Sequence, residues 1–256
     1  MVQSRGSRPL AGVYAKLDRG LDHLKELERQ EGAFIASDPY SIVEQVDAET
    51  GWHIFTAQVR DNPPLELGII AGETVHQFRS SLDHLLTAAA RLRSPRANNV
   101  KFPLFHTSEC FRLGTSSLRR RLRPEQFAIV ERHQPYKVAP ARPAAAQLAV
   151  LSRFNNVDKH EVVQAGYAVL DFVGFAGVQD VVFSRPKRID SGTELCRYLP
   201  RDRNNVKVAK VIRIGIAYGV MRVNRSFLNA VSSEVGDIVA EIRAATPEFQ
   251  LVTRDH

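Results

Sequence analysis

The sequence predicts an α+β fold: a helical core with an antiparallel β-sheet built from one early hairpin and from strands near the C-terminus. Three observations carry this expectation. Residues 65–93 and 144–164 place apolar side chains at intervals of three and four, the spacing of amphipathic helices. Residues 40–59 form two alternating runs around Asp47-Ala48-Glu49-Thr50-Gly51, a turn with its glycine at the end. After Gly166 the chain becomes rich in β-branched and aromatic residues, broken by Gly, Pro, Asp and Asn. Helices grouped first and strands grouped later argue against alternating βαβ winding. With no repeat and no linker-like stretch, residues 1–256 read as a single α+β domain. Its helix-rich part covers 1–165, its β-rich part 166–225, and a C-terminal helix 226–244.

Each element has its own signal. A first helix over 10–31 follows from Leu10, Val13, Leu17, Leu21, Leu24 and Leu27, with Gly32 as its stop. Tyr40–Val46 and Trp52–Val59 are the hairpin strands, and Asn62-Pro63-Pro64 ends the second and opens the next helix. That helix, 65–93, carries an apolar stripe of Val75, Phe78, Leu82, Leu85 and Leu86. Residues 94–116, with Pro95, Pro103 and Gly114, read as loop. A short basic helix is expected over 117–132, interrupted near Pro124, and Gln134-Pro135-Tyr136 with Pro140–Pro143 forms a stiff connector. The helix over 144–164 buries Leu148, Leu151, Phe154 and Val157, and should lie antiparallel to 65–93 because both stripes need a partner. Strands are expected over Tyr167–Val173, Val178–Phe183, Glu194–Tyr198 and Val206–Ala217, the last two joined by a hairpin turn at Arg201–Asn205. Ser226 serves as N-cap of the final helix, which runs to Ala244.

Composition narrows the function classes. A net charge of +7 favours polyanionic partners such as RNA, DNA or a nucleotide. Arg outnumbers Lys by 27 to 8, and the guanidinium fork suits phosphates and carboxylates. Two cysteines, Cys110 and Cys196, are too few for a disulfide framework or a structural zinc site. The first twenty residues hold no apolar core of a secretory signal, and no stretch approaches the roughly 20 apolar residues that span a bilayer. The expected location is cytoplasmic, with no membrane association.

The helix over 65–93 carries chemistry opposite its apolar stripe. Glu73, His76, Arg79, Ser80, Asp83 and His84 fall on one arc, a set of groups suited to proton transfer or phosphate binding. Glu73 and His76 have the i,i+3 spacing by which two side chains share a metal on a helix, but no second such pair follows. No metal or cofactor is therefore expected, and Glu73 with His76 is the alternative metal pair. The second polar cluster is Asn155-Asn156-Val157-Asp158-Lys159-His160. Arg119-Arg120-Arg121-Leu122-Arg123 is the densest basic run and reads either as a backbone-tracking surface or as a solvated helix end.

Arg79/His84 and Arg153/His160 are Arg-x4–6-His units on helices, each beside an acid, Asp83 or Asp158. The pattern resembles the short motif of HEPN-domain ribonucleases. That resemblance implies metal-independent RNA cleavage, with catalytic Arg79, Asp83, His84, Asp158 and His160, and with Arg119, Arg120, Arg121 and Arg153 binding the substrate. The Asn that usually follows the Arg in that family is Ser80 here and Phe154 in the second unit. The blocks Gly-Glu-x-x-His-x-x-Arg-Ser-x-Leu-Asp-His-Leu (72–85), Phe-Pro-Leu-Phe (102–105), Gln-Pro-Tyr (134–136) and Asn-x-x-Asp-Lys-His (155–160) resemble a family of uncharacterised bacterial proteins. This second likeness implies a bacterial cytosolic protein and no particular activity. Three readings stay open: a HEPN-like ribonuclease, a non-catalytic binding protein whose Arg/Asp/His helix pair is a buried polar network, and a metal-dependent hydrolase using Glu73, His76, Asp83 and His160. The expected partner is RNA or another polyanion, and a homodimer is compatible with each reading.

Overall fold

The computed structural model describes residues 9–142, 146–158, 161, 163–184, 186, 188–201, 209–219 and 221–250. The fold is α+β, with the elements α1 (Ala11–Ala36), β1 (Tyr40–Val46), β2 (His53–Val59), α2 (Leu65–Arg91), α3 (Ser108–Gly114), α4 (Ser116–Arg121), α5 (Pro124–Arg132), α6 (Pro135–Val138), α7 (Gln147–Asp158), β3 (Ala165–Ala176), β4 (Val178–Phe183), β5 (Glu194–Pro200), β6 (Ala209–Tyr218), α8 (Arg225–Ala244) and α9 (Pro247–Gln250). The chain divides into two compact units: Met1–Lys25, Ile70–Val162 and Ser226–His256 make the helical one, and Glu26–Ile69 with Val163–Arg225 make the sheet-bearing one.

In the helical unit α2 is the centre. Val75, Phe78, Leu82, Leu85 and Leu86, the stripe expected from the sequence, are all fully buried. The start of α1 runs antiparallel to α2, because Gly20 lies against Phe78 and Gly12 against His84. A Cβ on Gly20 would sit 2.6 Å from the Phe78 ring, so glycine leaves the room that this buried ring occupies against α1. Helix α7 is also antiparallel to α2: Gly72 faces Asp158 while His76 bonds Asn155. Its own apolar line, Leu148, Leu151 and Phe154, is buried. The amphipathic α8 closes the unit with Leu228, Val231, Val235, Ile238, Val239 and Ile242 turned inward.

In the sheet-bearing unit, β1 and β2 form the expected hairpin with Tyr40 opposite Val59. Its turn is fixed by Asp47, whose carboxylate accepts the N–H groups of Glu49 and Thr50, and by Gly51 at φ 74°. A four-stranded antiparallel sheet has the order β1-β2-β5-β4, and β3 pairs with β6 in a separate two-stranded sheet. Phe55, Tyr167, Leu195, Tyr198 and Ile214 form a common core between them. The Tyr40 hydroxyl joins the sheets by donating to the Ile214 carbonyl and accepting from the Ile214 N–H, both at 3.2 Å.

Four expectations need correction. Residues 94–116 are not all loop: Thr107 accepts the Cys110 N–H and caps α3, which buries Phe111. The helix expected over 144–164 ends at Asp158, since the chain passes into β3 at Ala165. Strands β5 and β6 are not hairpin partners, because both edges of β5 are taken by β2 and β4. The turn expected there falls mostly on residues 202–208, outside the described residues. Ser226 lies inside the first turn of α8, which begins at Arg225.

Candidate functional site

The polar arc of α2 separates into three neighbourhoods, each in the helical unit. The first is built on Arg79 and Asp83, one turn apart, whose Nη2 and Oδ1 lie 3.2 Å from each other. The Arg79 Nη2 donates to the Phe102 carbonyl at 2.6 Å, and the Phe102 N–H donates to Asp83 Oδ1 at 2.8 Å. The pair thus grips both polar groups of one backbone residue, as a neighbouring strand would. Burial pulls the Arg79 pKa down, with the Asp83 charge acting the other way. The Arg79 Nη1 is buried and has no hydrogen-bond partner among the described residues.

Gln134 secures the same segment from the other side. It is buried, its Oε1 accepts the Phe105 N–H at 3.0 Å, and its Nε2 donates to the carbonyls of Pro103 and Val130, both at 2.9 Å. The Phe-Pro-Leu-Phe block is therefore pinned between α2 and the residue that opens α6. Three of the four sequence blocks converge here, and they do so through backbone groups of Phe102–Phe105.

The second neighbourhood joins α1, α2 and α7. His23 Nδ1 lies 3.4 Å from Glu73, and His76 Nδ1 lies 3.3 Å from Asn155 Oδ1. Asp158 lies directly over Gly72, where a Cβ would approach its Oδ1 to 2.1 Å. Burial raises the Asp158 pKa, opposed by His76 and reinforced by Glu73. Burial likewise lowers the His23 pKa, with Glu73 pulling it back. Glu73 and His76, the alternative metal pair, turn to different partners. Among the described residues no group of three His, Cys, Asp or Glu is arranged to hold a metal ion.

The third is a cavity of about 440 Å³ lined by Pro9, Ala11, Gly12, Val13, Asp83, His84, Thr87, Ala88, Arg91, Asn99 and Val100. His84 is exposed on its wall, and a Cβ on Gly12 would lie 3.0 Å from its Nδ1. Arg91 is oriented by its Nε, which donates to the Ala97 carbonyl at 2.9 Å. Thr87 Oγ1 is engaged with both backbone groups of Val100.

The expected five-residue site is thus distributed. Arg79 and Asp83 meet, His84 opens into the cavity, and Asp158 belongs with Glu73 and His76. His160 lies outside the described residues. Arg153 is exposed on α7 with no ion pair among the described residues. Arg119, Arg120 and Arg121 form the exposed end of α4, with the Arg119 guanidinium 5.7 Å from the Phe127 ring centroid. The Arg93 Nη1 donates to the Leu122 carbonyl at 2.8 Å and brings the segment after α2 against the end of α4.

One polar cluster and one further residue lie outside the site residues expected from the sequence. In the sheet-bearing unit Glu44 Oε1 takes the Tyr198 hydroxyl at 2.8 Å and lies 2.8 Å from His53 Nδ1, while the His53 and Tyr198 rings stack at 4.7 Å. Their strand positions gave no spacing signal, since β1, β2 and β5 are brought together only by pairing. Arg91 is the other omission. It continues the His84–Ala88 stripe by one more turn, and that periodicity could have revealed it.

No family model, curated protein or solved structure matches the chain. Among the described residues no helix is long and apolar enough to cross a membrane.

Proposed function

We propose that the helical unit is a cytoplasmic polyanion-binding module with RNA as its ligand class, and that the Arg79–Asp83 face of α2 holds the fold together without catalysing a reaction. One observation carries this: Arg93, Arg96, Arg119, Arg120 and Arg121 are exposed and have no carboxylate partner among the described residues. By contrast Arg123 and Arg132, close by in sequence, are each paired with a glutamate of the C-terminal helices, Glu248 and Glu241. Unpaired guanidinium groups in one region supply the attraction that phosphate backbones need. Arg79 has the opposite surroundings. Its Nη2 is committed to Phe102 and Asp83 and its side chain is largely buried, which disfavours a HEPN-like role in neutralising a phosphodiester.

The test is binding of a single-stranded RNA oligonucleotide across a salt series. Affinity should fall steeply with salt, and Arg119→Ala/Arg120→Ala/Arg121→Ala should flatten the log–log slope by about 2, at roughly 0.7 per lost contact. Salt-independent binding, or a slope unchanged in the triple variant, overturns the reading. RNA cleavage is the second reading, favoured by a single observation: His84 is exposed on the wall of a cavity that Arg91 also lines. Cleavage that persists in a folded His84→Ala protein removes it.

A further inference from the structure

The cavity at His84 and Arg91 is separate from the exposed arginines of α4, and its chemistry is more specific than charge alone. We propose that it is a binding site for a nucleotide-sized organic phosphate, with the phosphate on Arg91 and a polar edge of the organic group on His84.

The shape supports an elongated ligand. His84, Ala88 and Arg91 are successive positions of one stripe on α2, so the two polar ends lie about 10 Å apart along the helix at roughly 1.5 Å per residue. Between them the wall is formed by Thr87, Ala88 and Val100, which puts a hydroxyl among small apolar groups. A volume of about 440 Å³ falls within the roughly 300–1,000 Å³ typical of small-molecule sites. A polar end, a narrow middle of small side chains with one hydroxyl, and a cationic end match a sugar or base carrying a terminal phosphate.

The charge at the Arg91 end is available. Its Nε is held by Ala97, and its two Nη atoms have no partner among the described residues. That geometry presents the fork that grips a phosphate by two N–H groups. Asn99, at φ 49°, is exposed at the same end. Asp83 also lines the cavity, but its Oδ1 already accepts the Phe102 N–H and faces Arg79. At the His84 end Gly12 makes room for the imidazole, since any larger residue would press on Nδ1.

A free mononucleotide and the phosphorylated end of a nucleic-acid strand share this chemistry. Calorimetric titration of the full chain with 5′-AMP, adenosine and a 5′-phosphorylated oligoadenylate separates them. Saturable binding of either phosphorylated probe is expected, with adenosine at least about tenfold weaker, as loss of a charge-assisted hydrogen bond implies. Binding of AMP alone identifies a free mononucleotide, and binding of the oligoadenylate alone that persists in the Arg119/Arg120/Arg121 triple alanine variant identifies a strand end. Arg91→Ala should weaken the bound probe about tenfold or more. Gly12→Ala should do so without removing any charge, and thermal melting reports that the variant is folded. The Arg119/Arg120/Arg121 triple alanine variant should leave 5′-AMP binding unchanged, so failure here and failure of the RNA surface are distinguishable. Absence of saturable binding by both phosphorylated probes, or affinity undiminished in Arg91→Ala or in folded Gly12→Ala, overturns the proposal.

Discussion

Removing Asp83 tests whether the α2 polar face is scaffold. Asp83→Ala leaves the Phe102 N–H without its acceptor, and Phe102 is only 1% exposed, so that term alone is about 1–3 kcal/mol. The substitution also unpairs Arg79, whose side chain is 13% exposed, and breaking a buried pair costs about 3–5 kcal/mol. Asp83 is itself 29% exposed, so water replaces part of what is lost, and the combined expectation is about 2–4 kcal/mol. Asp83→Asn keeps an oxygen acceptor for Phe102 and should cost less than the alanine. Arg79→Met removes the donor to the Phe102 carbonyl while Asp83 regains water, for about 1–3 kcal/mol. The double variant Arg79→Met/Asp83→Ala should fall short of the sum by about 1 kcal/mol or more, because no charge is then left unpaired. Urea denaturation followed by circular dichroism measures all four at one protein concentration. An Asp83→Ala protein within about 0.5 kcal/mol of wild type, or strict additivity in the double variant, refutes the scaffold reading.

Two further outcomes follow from packing and charge. Leu82 is fully buried in α2, so Leu82→Ala should destabilise by about 2–5 kcal/mol, read by the same denaturation. His133 faces Glu234 at 3.9 Å and Glu241 at 3.2 Å, and these carboxylates hold its pKa above the ordinary imidazole value against the opposing effect of burial. The protonated ring binds its partners only in the folded state. Its stabilisation is therefore complete below about pH 6.5 and is lost as pH rises through the higher folded value. Thermal melts between pH 6 and pH 8.5 should show that decline, and His133→Gln should remove it. An unchanged slope in the variant would assign the pH dependence elsewhere.

The long elements were legible in the sequence because periodicity alone specifies them. Helix α2 was expected over 65–93 and spans Leu65–Arg91, and β1 and β4 have the bounds read from their alternation and turn signals. Short α3 was not legible, since seven residues burying a single Phe111 leave no period to detect. The β5–β6 separation was hidden for a different reason: strand order depends on competition among distant partners, which local pattern does not record. The polar face of α2 was visible as residue types on one arc. Its partner was not, because Arg79 and Asp83 bind the backbone of a residue 23 and 19 positions downstream, and a backbone amide has no side-chain signature.

The double anchoring of Phe102–Phe105 carries a consequence for the order of folding. Its hydrogen bonds come from α2 on one side and from Gln134 on the other, with sequence separations from 19 to 31 residues. Neither anchor holds the whole segment without the other, so its loop-closure entropy is offset only once both helices are in place. Substitutions at Gln134 should therefore accelerate unfolding while leaving the folding rate nearly unchanged, the kinetic pattern of contacts formed after the rate-limiting barrier.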